Sequence, residues 1–217
     1  MALTKYNFNS FDLTTAASKG LAFNSSANGF ETGADGSMTL IKTLTASSSG
    51  TLSFVDGSSS VVLDNTYPVY RFVFTTIHGS ANANFEFQTS TNTGSSYGVT
   101  LTSTFFNAWH NEAGNDETLA YSTSNDIAQA TSFQRLLKHS GNADDAGSGT
   151  LTLFNPSSTT FVKHFISDGN SANNTYSQRE LVAGYFNTTS AIDAVQFKMA
   201  SGNIDAGTIK LYGIKDS

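Results

Sequence analysis

The stretch Asn107-Ala108-Trp109-His110-Asn111 carries side chains of the kind that hold sugars. An indole offers a flat apolar face with one polar edge, which suits the C–H face of a pyranose. Planar amides beside it donate and accept at once, which matches a sugar hydroxyl. Tyr121 adds a second ring in the same irregular part of the chain. Asn107, Trp109, His110, Asn111 and Tyr121 therefore form the candidate glycan-binding loop. Asn and aromatic residues are abundant throughout, so this local enrichment discriminates weakly.

Other residues could do chemistry, and for each the plainer reading is favoured. Gly94-Ser95-Ser96-Tyr97-Gly98 matches the G-x-S-x-G nucleophile pattern. That pattern needs a strand before the serine and a helix after it. Here a strand follows, and a hairpin loop is expected. His78, His110, His139 and His164 show no i, i+4 pair and no H-E-x-x-H. His164 alternates between Val162 and Ile166 and reads as an imidazole on a strand face. His110, with Trp109 and Glu112, could line a polar pocket but reads first as ordinary loop. Glu112, Asp116 and Glu117 form one acidic group, Asp144 and Asp145 another. Calcium sites need several closely spaced oxygen ligands, and no D-x-D-x-D-G loop occurs, so solvated loops are expected. Paired carboxylates for glycoside hydrolysis are set in space, and nothing in the sequence favours them. No catalytic residue, metal ligand or cofactor is assigned. The chain is expected not to be an enzyme.

Composition narrows the classes further. The 217 residues include no Cys, which excludes disulfides and thiol catalysis. Only 11 are Lys or Arg and the net charge is −6, which argues against a nucleic-acid partner. No apolar run is long enough to cross a membrane. The start lacks a basic region followed by an apolar run, so synthesis in a cytoplasm is expected, and N-x-S/T at Asn24, Asn173 and Asn187 carries no weight. Ser, Thr and Asn number 30, 28 and 19, while charged residues are 13%. Strands faced with these uncharged side chains lack the usual guards against edge pairing. Copies of the chain, or a larger assembly, are expected to cover them.

Short strands must position whatever site exists. Residues 39–45, 51–55, 61–63, 84–88 and 97–106 read as strands, separated by turns such as Asp56-Gly57. Residues 69–77 form the clearest one. Tyr70, Phe72 and Phe74 share one face, and Val69, Arg71, Val73 and Ile77 the other. Residues 117–121 are expected to make a helical turn, and 133–137 either strand or helix. Residues 150–154, 160–166, 180–187, 193–199 and 207–214 complete about ten strands. This spacing points to an all-β fold, an antiparallel β-sandwich of jelly-roll type, over residues 39–217. Residues 181–186 are apolar on both faces, as in a strand also covered by another subunit. Residues 1–38 read as an irregular N-terminal arm. Its Phe8, Phe11, Leu13, Leu21, Phe23 and Phe30 follow neither strand nor helix period and either pack on their own domain or plug into a neighbour.

Three stretches of the second half resemble a known family. They are Asn155-Pro156-Ser157-Ser158-Thr159-Thr160-Phe161-Val162-Lys163-His164-Phe165, then Gly184-Tyr185-Phe186-Asn187-Thr188-Thr189-Ser190-Ala191-Ile192-Asp193, and the ending Ser201-Gly202-Asn203-Ile204-Asp205-Ala206-Gly207-Thr208-Ile209-Lys210-Leu211-Tyr212-Gly213-Ile214. Together they resemble marine tailed-phage virion proteins, found in phages of cyanobacteria and other ocean bacteria. Residues 1–12 and 44–63 are similar to members of the same group. These motifs hold turn and strand residues and no catalytic set. The resemblance implies a β-sandwich, homotrimeric and exposed on the virion, described loosely as fibre-like or structural. The expectation is a non-enzymatic virion structural protein, a capsid decoration or cement protein on the head surface. Its partners would be copies of itself and the major capsid protein, gripped through the arm. The alternative is a tail-fibre or adhesin-type protein that binds host-surface glycans. A free carbohydrate-binding module or glycan-cleaving enzyme stands outside both.

Overall fold

The computed structural model describes residues 20–23, 26, 30–32 and 36–216. The chain divides into two units, Met1–Thr39 and Leu40–Ser217. In the first, β1 (Leu21–Phe23) pairs antiparallel with β2 (Phe30–Thr32). Phe23 lies opposite Phe30, and their rings stack at 4.9 Å. The arm thus contains a small antiparallel strand pair that carries partly exposed apolar side chains. Leu21, Phe23 and Phe30 are 60%, 69% and 40% exposed. Phe8, Phe11 and Leu13 lie outside the described residues.

The second unit is an antiparallel β-sandwich, and no helix occurs among the described residues. Its strands are β3 (Met38–Thr45), β4 (Leu52–Val55), β5 (Val69–Gly79), β6 (Phe85–Ser90), β7 (Leu101–Asn111) and β8 (Glu117–Tyr121), then β9 (Gln134–Leu137), β10 (Gly147–Phe154), β11 (Lys163–Asn173), β12 (Tyr176–Phe186), β13 (Ala194–Met199) and β14 (Ile204–Ile214). One sheet has eight strands in the order β3-β14-β5-β10-β11-β12-β7-β8. The other has four, in the order β4-β13-β6-β9. This order establishes the sandwich; a jelly roll is a finer statement than it makes.

Phenylalanines join the sheets. Phe54, Phe85, Phe87 and Phe197 of the small sheet meet Phe72, Phe74, Phe165 and Phe186 of the large one. Ring centroids lie 5.3 Å apart for Phe54–Phe72, 5.5 Å for Phe74–Phe85 and 5.1 Å for Phe87–Phe165, all edge to face. Edge-to-face contact sets the positive rim of one ring against the negative face of another. Such a pair adds about 0.5–1.5 kcal/mol to the burial itself.

Several expectations are corrected. Residues 117–121 are strand β8, not a helical turn, because they alternate and pair with β7 from Phe106↔Tyr121 to His110↔Glu117. Asn107–Asn111 is strand rather than loop for the same reason. Residues 61–63 form no strand, although Val61 and Leu63 are buried. They close the Gly57 turn instead, with Leu63 N donating to Asp56 Oδ1 at 2.8 Å. Residues 97–100 and 160–162 lie outside strands. Ile77 does not share a face with Val73 but is 2% exposed in the core. Thr76 adopts a left-handed φ of 54° and the ladders to β10 and β14 shift register there. The bulge turns Thr75 and Thr76 outward and returns Ile77 to the inside.

Candidate functional site

The eight-stranded sheet is wider than its four-stranded cover. β9 is the cover's edge, and the inner side of β12 and β7 opens where Tyr176, Gln178, Asn107 and Trp109 lie, while Leu101, Phe105, Val182 and Phe186 are buried in the core. The register sets Glu180 beside Asn107, Gln178 beside Trp109 and Tyr176 beside Asn111 on that inner side. The result is an open cleft of about 480 Å³, walled by Ser122, Ser124 and Asn125 after β8 and by Arg135 and Lys138 at β9. That volume lies within the range of small-molecule sites.

A charged pair stands at the cleft: Arg135 lines it and Glu180 is fully buried. Glu180 closes an ion pair with Arg135. Arg135 Nε also donates to Glu180 Oε2 at 3.3 Å, and Gln178 Nε2 to Glu180 Oε1 at 2.9 Å. Asn173 Nδ2 donates to Gln178 Oε1 at 3.1 Å. Arg135 Nη1 donates to Asn125 Oδ1 at 3.2 Å, and the guanidinium lies 5.3 Å from the centre of the Phe105 ring. Burial pushes the Glu180 carboxyl up from the ordinary glutamate value, and Arg135 works against that rise.

Asp116 orients the aromatic walls. Tyr176 Oη donates to Asp116 Oδ2 at 2.9 Å, and Trp109 Nε1 makes a long contact of 3.5 Å to Oδ1. The hydrogen bond to Asp116 raises the Tyr176 phenol above its ordinary value. Asn111 fixes the turn that carries Asp116: its Oδ1 accepts from Asn115 N at 3.0 Å and Asp116 N at 3.2 Å.

The five sequence-predicted residues therefore separate. Asn107 and Trp109 line the cleft, and Asn111 holds its turn. His110 and Tyr121 lie on the opposite face of the sheet, because alternate residues of a strand point opposite ways. Tyr121 packs edge-on against Phe106 at 5.2 Å and donates to Asp126 Oδ2 at 2.7 Å. Sequence reasoning missed Tyr176, Gln178, Asn173, Arg135 and Lys138. Strand register brings them together, and no local motif marks them.

The other chemical candidates scatter. Ser96 lies in the β6–β7 connection, where its hydroxyl accepts from Asn92 Nδ2 at 2.9 Å. His164 is exposed, its ring 6.2 Å from Tyr185. Asp144 is exposed, but Asp145 is not the solvated residue expected. It is 5% exposed and accepts from Asn174 N at 2.6 Å and from the Ser140 hydroxyl. Its work is to tie the segment before β10 to the β11–β12 turn. His78 Nδ1 and His139 Nε2 meet at 3.1 Å beside Asp145 O, a pairing across 61 residues with no sequence signal. Among the described residues, no three His, Cys, Asp or Glu stand together as a metal site. Comparison of the chain with family models, with curated proteins and with solved structures finds no match.

Proposed function

We propose that the chain is a non-enzymatic structural protein of a tailed-phage virion. In this reading it is a decoration or cement protein on the head surface. Its arm grips the major capsid protein and neighbouring copies in a homotrimer. The observation that carries the reading is the arm hairpin, where Leu21 and Phe23 present exposed apolar surface on a separate unit. Apolar side chains gathered on a polar segment mark a contact site. The resemblance of residues 155–165, 184–193 and 201–214 to phage virion proteins supplies the virion context. The most buried carboxylate of the cleft, Glu180, has both oxygens taken by Arg135 and Gln178, which suits a structural part better than a proton carrier.

The cleft favours a second reading, a tail-fibre or adhesin-type protein that binds host-surface glycans. Immunogold labelling of intact virions with an antibody to the chain separates the two. Label over the head, lost when residues 1–38 are deleted, is the expected result. Label at the tail tips selects the second reading, and unlabelled particles defeat both.

A further inference from the structure

We propose that the cleft is one end of an extended saccharide groove that takes an acidic oligosaccharide. A sugar ring stacks on Trp109 and a ring carboxylate meets Lys138. This deepens the glycan-binding reading and does not depend on where the chain sits on a particle.

Three features carry it. First, Asp116 ties the Tyr176 wall and lies within 3.5 Å of the Trp109 indole N–H. Asn111 holds Asp116. A tied aromatic wall lowers the ordering cost of binding. Second, hydrogen-bonding capacity is left over. The Asn107 amide lines the cleft, and neither it nor the Lys138 ammonium makes a hydrogen bond or ion pair among the described residues. Glu180 attracts the Lys138 charge but makes no hydrogen bond or ion pair with it, its own partners being Arg135 and Gln178. Third, the site continues past Lys138. A second depression of about 420 Å³ shares Lys138, Asn173 and Tyr176 with the first, and Asn82, Asn142 and Asn174 line its far part. Two adjoining hollows with one lysine at their junction suit two linked sugars with an anionic group between them. Amides on both sides suit their hydroxyls.

Trp109 is the chain's single tryptophan, so its fluorescence reports directly on the site. The experiment titrates the full chain with trigalacturonate, trimannuronate and a sialylated trisaccharide, with maltotriose as the neutral probe. Saturable change with at least one acidic probe, and much weaker change with maltotriose, is expected. Lys138→Gln should weaken the acidic probe about ten-fold or more, because it removes a charge-assisted contact. Asp116→Asn should weaken binding by loosening Trp109 and Tyr176. Unchanged near-ultraviolet circular dichroism and melting temperature in both variants show that the fold is kept. The proposal fails if no acidic probe shifts Trp109, if maltotriose binds equally well, or if Lys138→Gln binds like the parent chain. None of these failures bears on where immunogold finds the chain.

Discussion

The guanidinium of Arg135 reaches from β9 of the four-stranded sheet to the carboxylate of Glu180 on β12 of the eight-stranded sheet, and their side chains are 12% and 0% exposed. A buried ion pair is costly to desolvate, and its attraction roughly offsets that cost. What it does impose is a requirement that both partners be present. It also sets where the edge of the small sheet stops, and so where the cleft begins.

Removing either partner should therefore destabilise strongly. Arg135→Met or Glu180→Leu alone is expected to cost about 3–5 kcal/mol, because each leaves an uncompensated buried charge. The double variant Arg135→Met, Glu180→Leu should recover most of that loss. Urea unfolding of the four proteins measures the coupling. Single variants within 1 kcal/mol of the parent, or strictly additive effects, would contradict this account.

Acidity should act on the sandwich through Glu180, which is buried, and Glu86, which is half-buried. Burial pushes Glu86 and Glu180 up from the ordinary glutamate value, opposed by Lys198 and Arg135 at Glu86 and by Arg135 at Glu180. With a raised folded-state pKa, the folded chain binds a proton where the unfolded chain has released it. Their contribution is full below the unfolded glutamate value, about 4.3, and is lost as pH rises through the folded value. Asp168, held down by the hydrogen bond from Arg179, works the other way, and its share is lost as pH falls. Glu86→Gln should accordingly flatten the fall in stability as pH rises above about 4.3. Urea midpoints across that range test it. A slope identical to the parent's would exclude Glu86 as a contributor.

Gly213 in the ending Leu211-Tyr212-Gly213-Ile214 has a steric reason to be glycine. A Cβ there would fall on the ring of Tyr67, which lies against the backbone and meets Tyr70 edge-on at 5.7 Å. Gly213→Ala should displace the ring and cost about 1–3 kcal/mol. Gly50 is the control. Its nearest neighbour would be 3.9 Å from a new Cβ, so Gly50→Ala should be neutral or stabilise by about 0.4–1 kcal/mol. Equal melting temperatures for the two variants would refute the packing argument.

Much of the sandwich is legible as alternation, and the exceptions have causes. Tyr70, Phe72 and Phe74 read as one buried face, and the core holds all three. Ile77 reads wrongly, because the bulge at Thr76 breaks the phase and alternation carries no mark of a left-handed threonine. Residues 117–121 read as a helical turn because five residues cannot announce a partner, and β7 supplies it. In the cleft, Trp109 and Asn107 stand out by type. His110 and Tyr121 stand out equally, and only the strand assignment puts them on the other side. Tyr176, Arg135 and Lys138 join through the register of β12 against β7 and the packing of β9, which no spacing in the chain encodes.

The face that took His110 and Tyr121 carries the last prediction. Tyr121, Phe106 and Leu181 lie side by side across β8, β7 and β12, with Leu119 77% and Ile166 52% exposed nearby. Arg179 and Asp168 beside them pair with each other, at 2.7 Å, so this pair adds no net charge to the surface. A contiguous apolar area on a sheet face marks an interaction surface. Residues 181–186 thus keep Val182 and Phe186 for the core and leave Leu181 on the exposed side. Light scattering of the full chain should give a mass above that of the monomer. Leu119→Asp should lower it, because a charge would be buried in the contact. That residue is too exposed to change unfolding stability by more than about 0.5 kcal/mol. A parent chain that stays monomeric at high concentration, or a Leu119→Asp variant that associates as before, would show that this face meets no second copy.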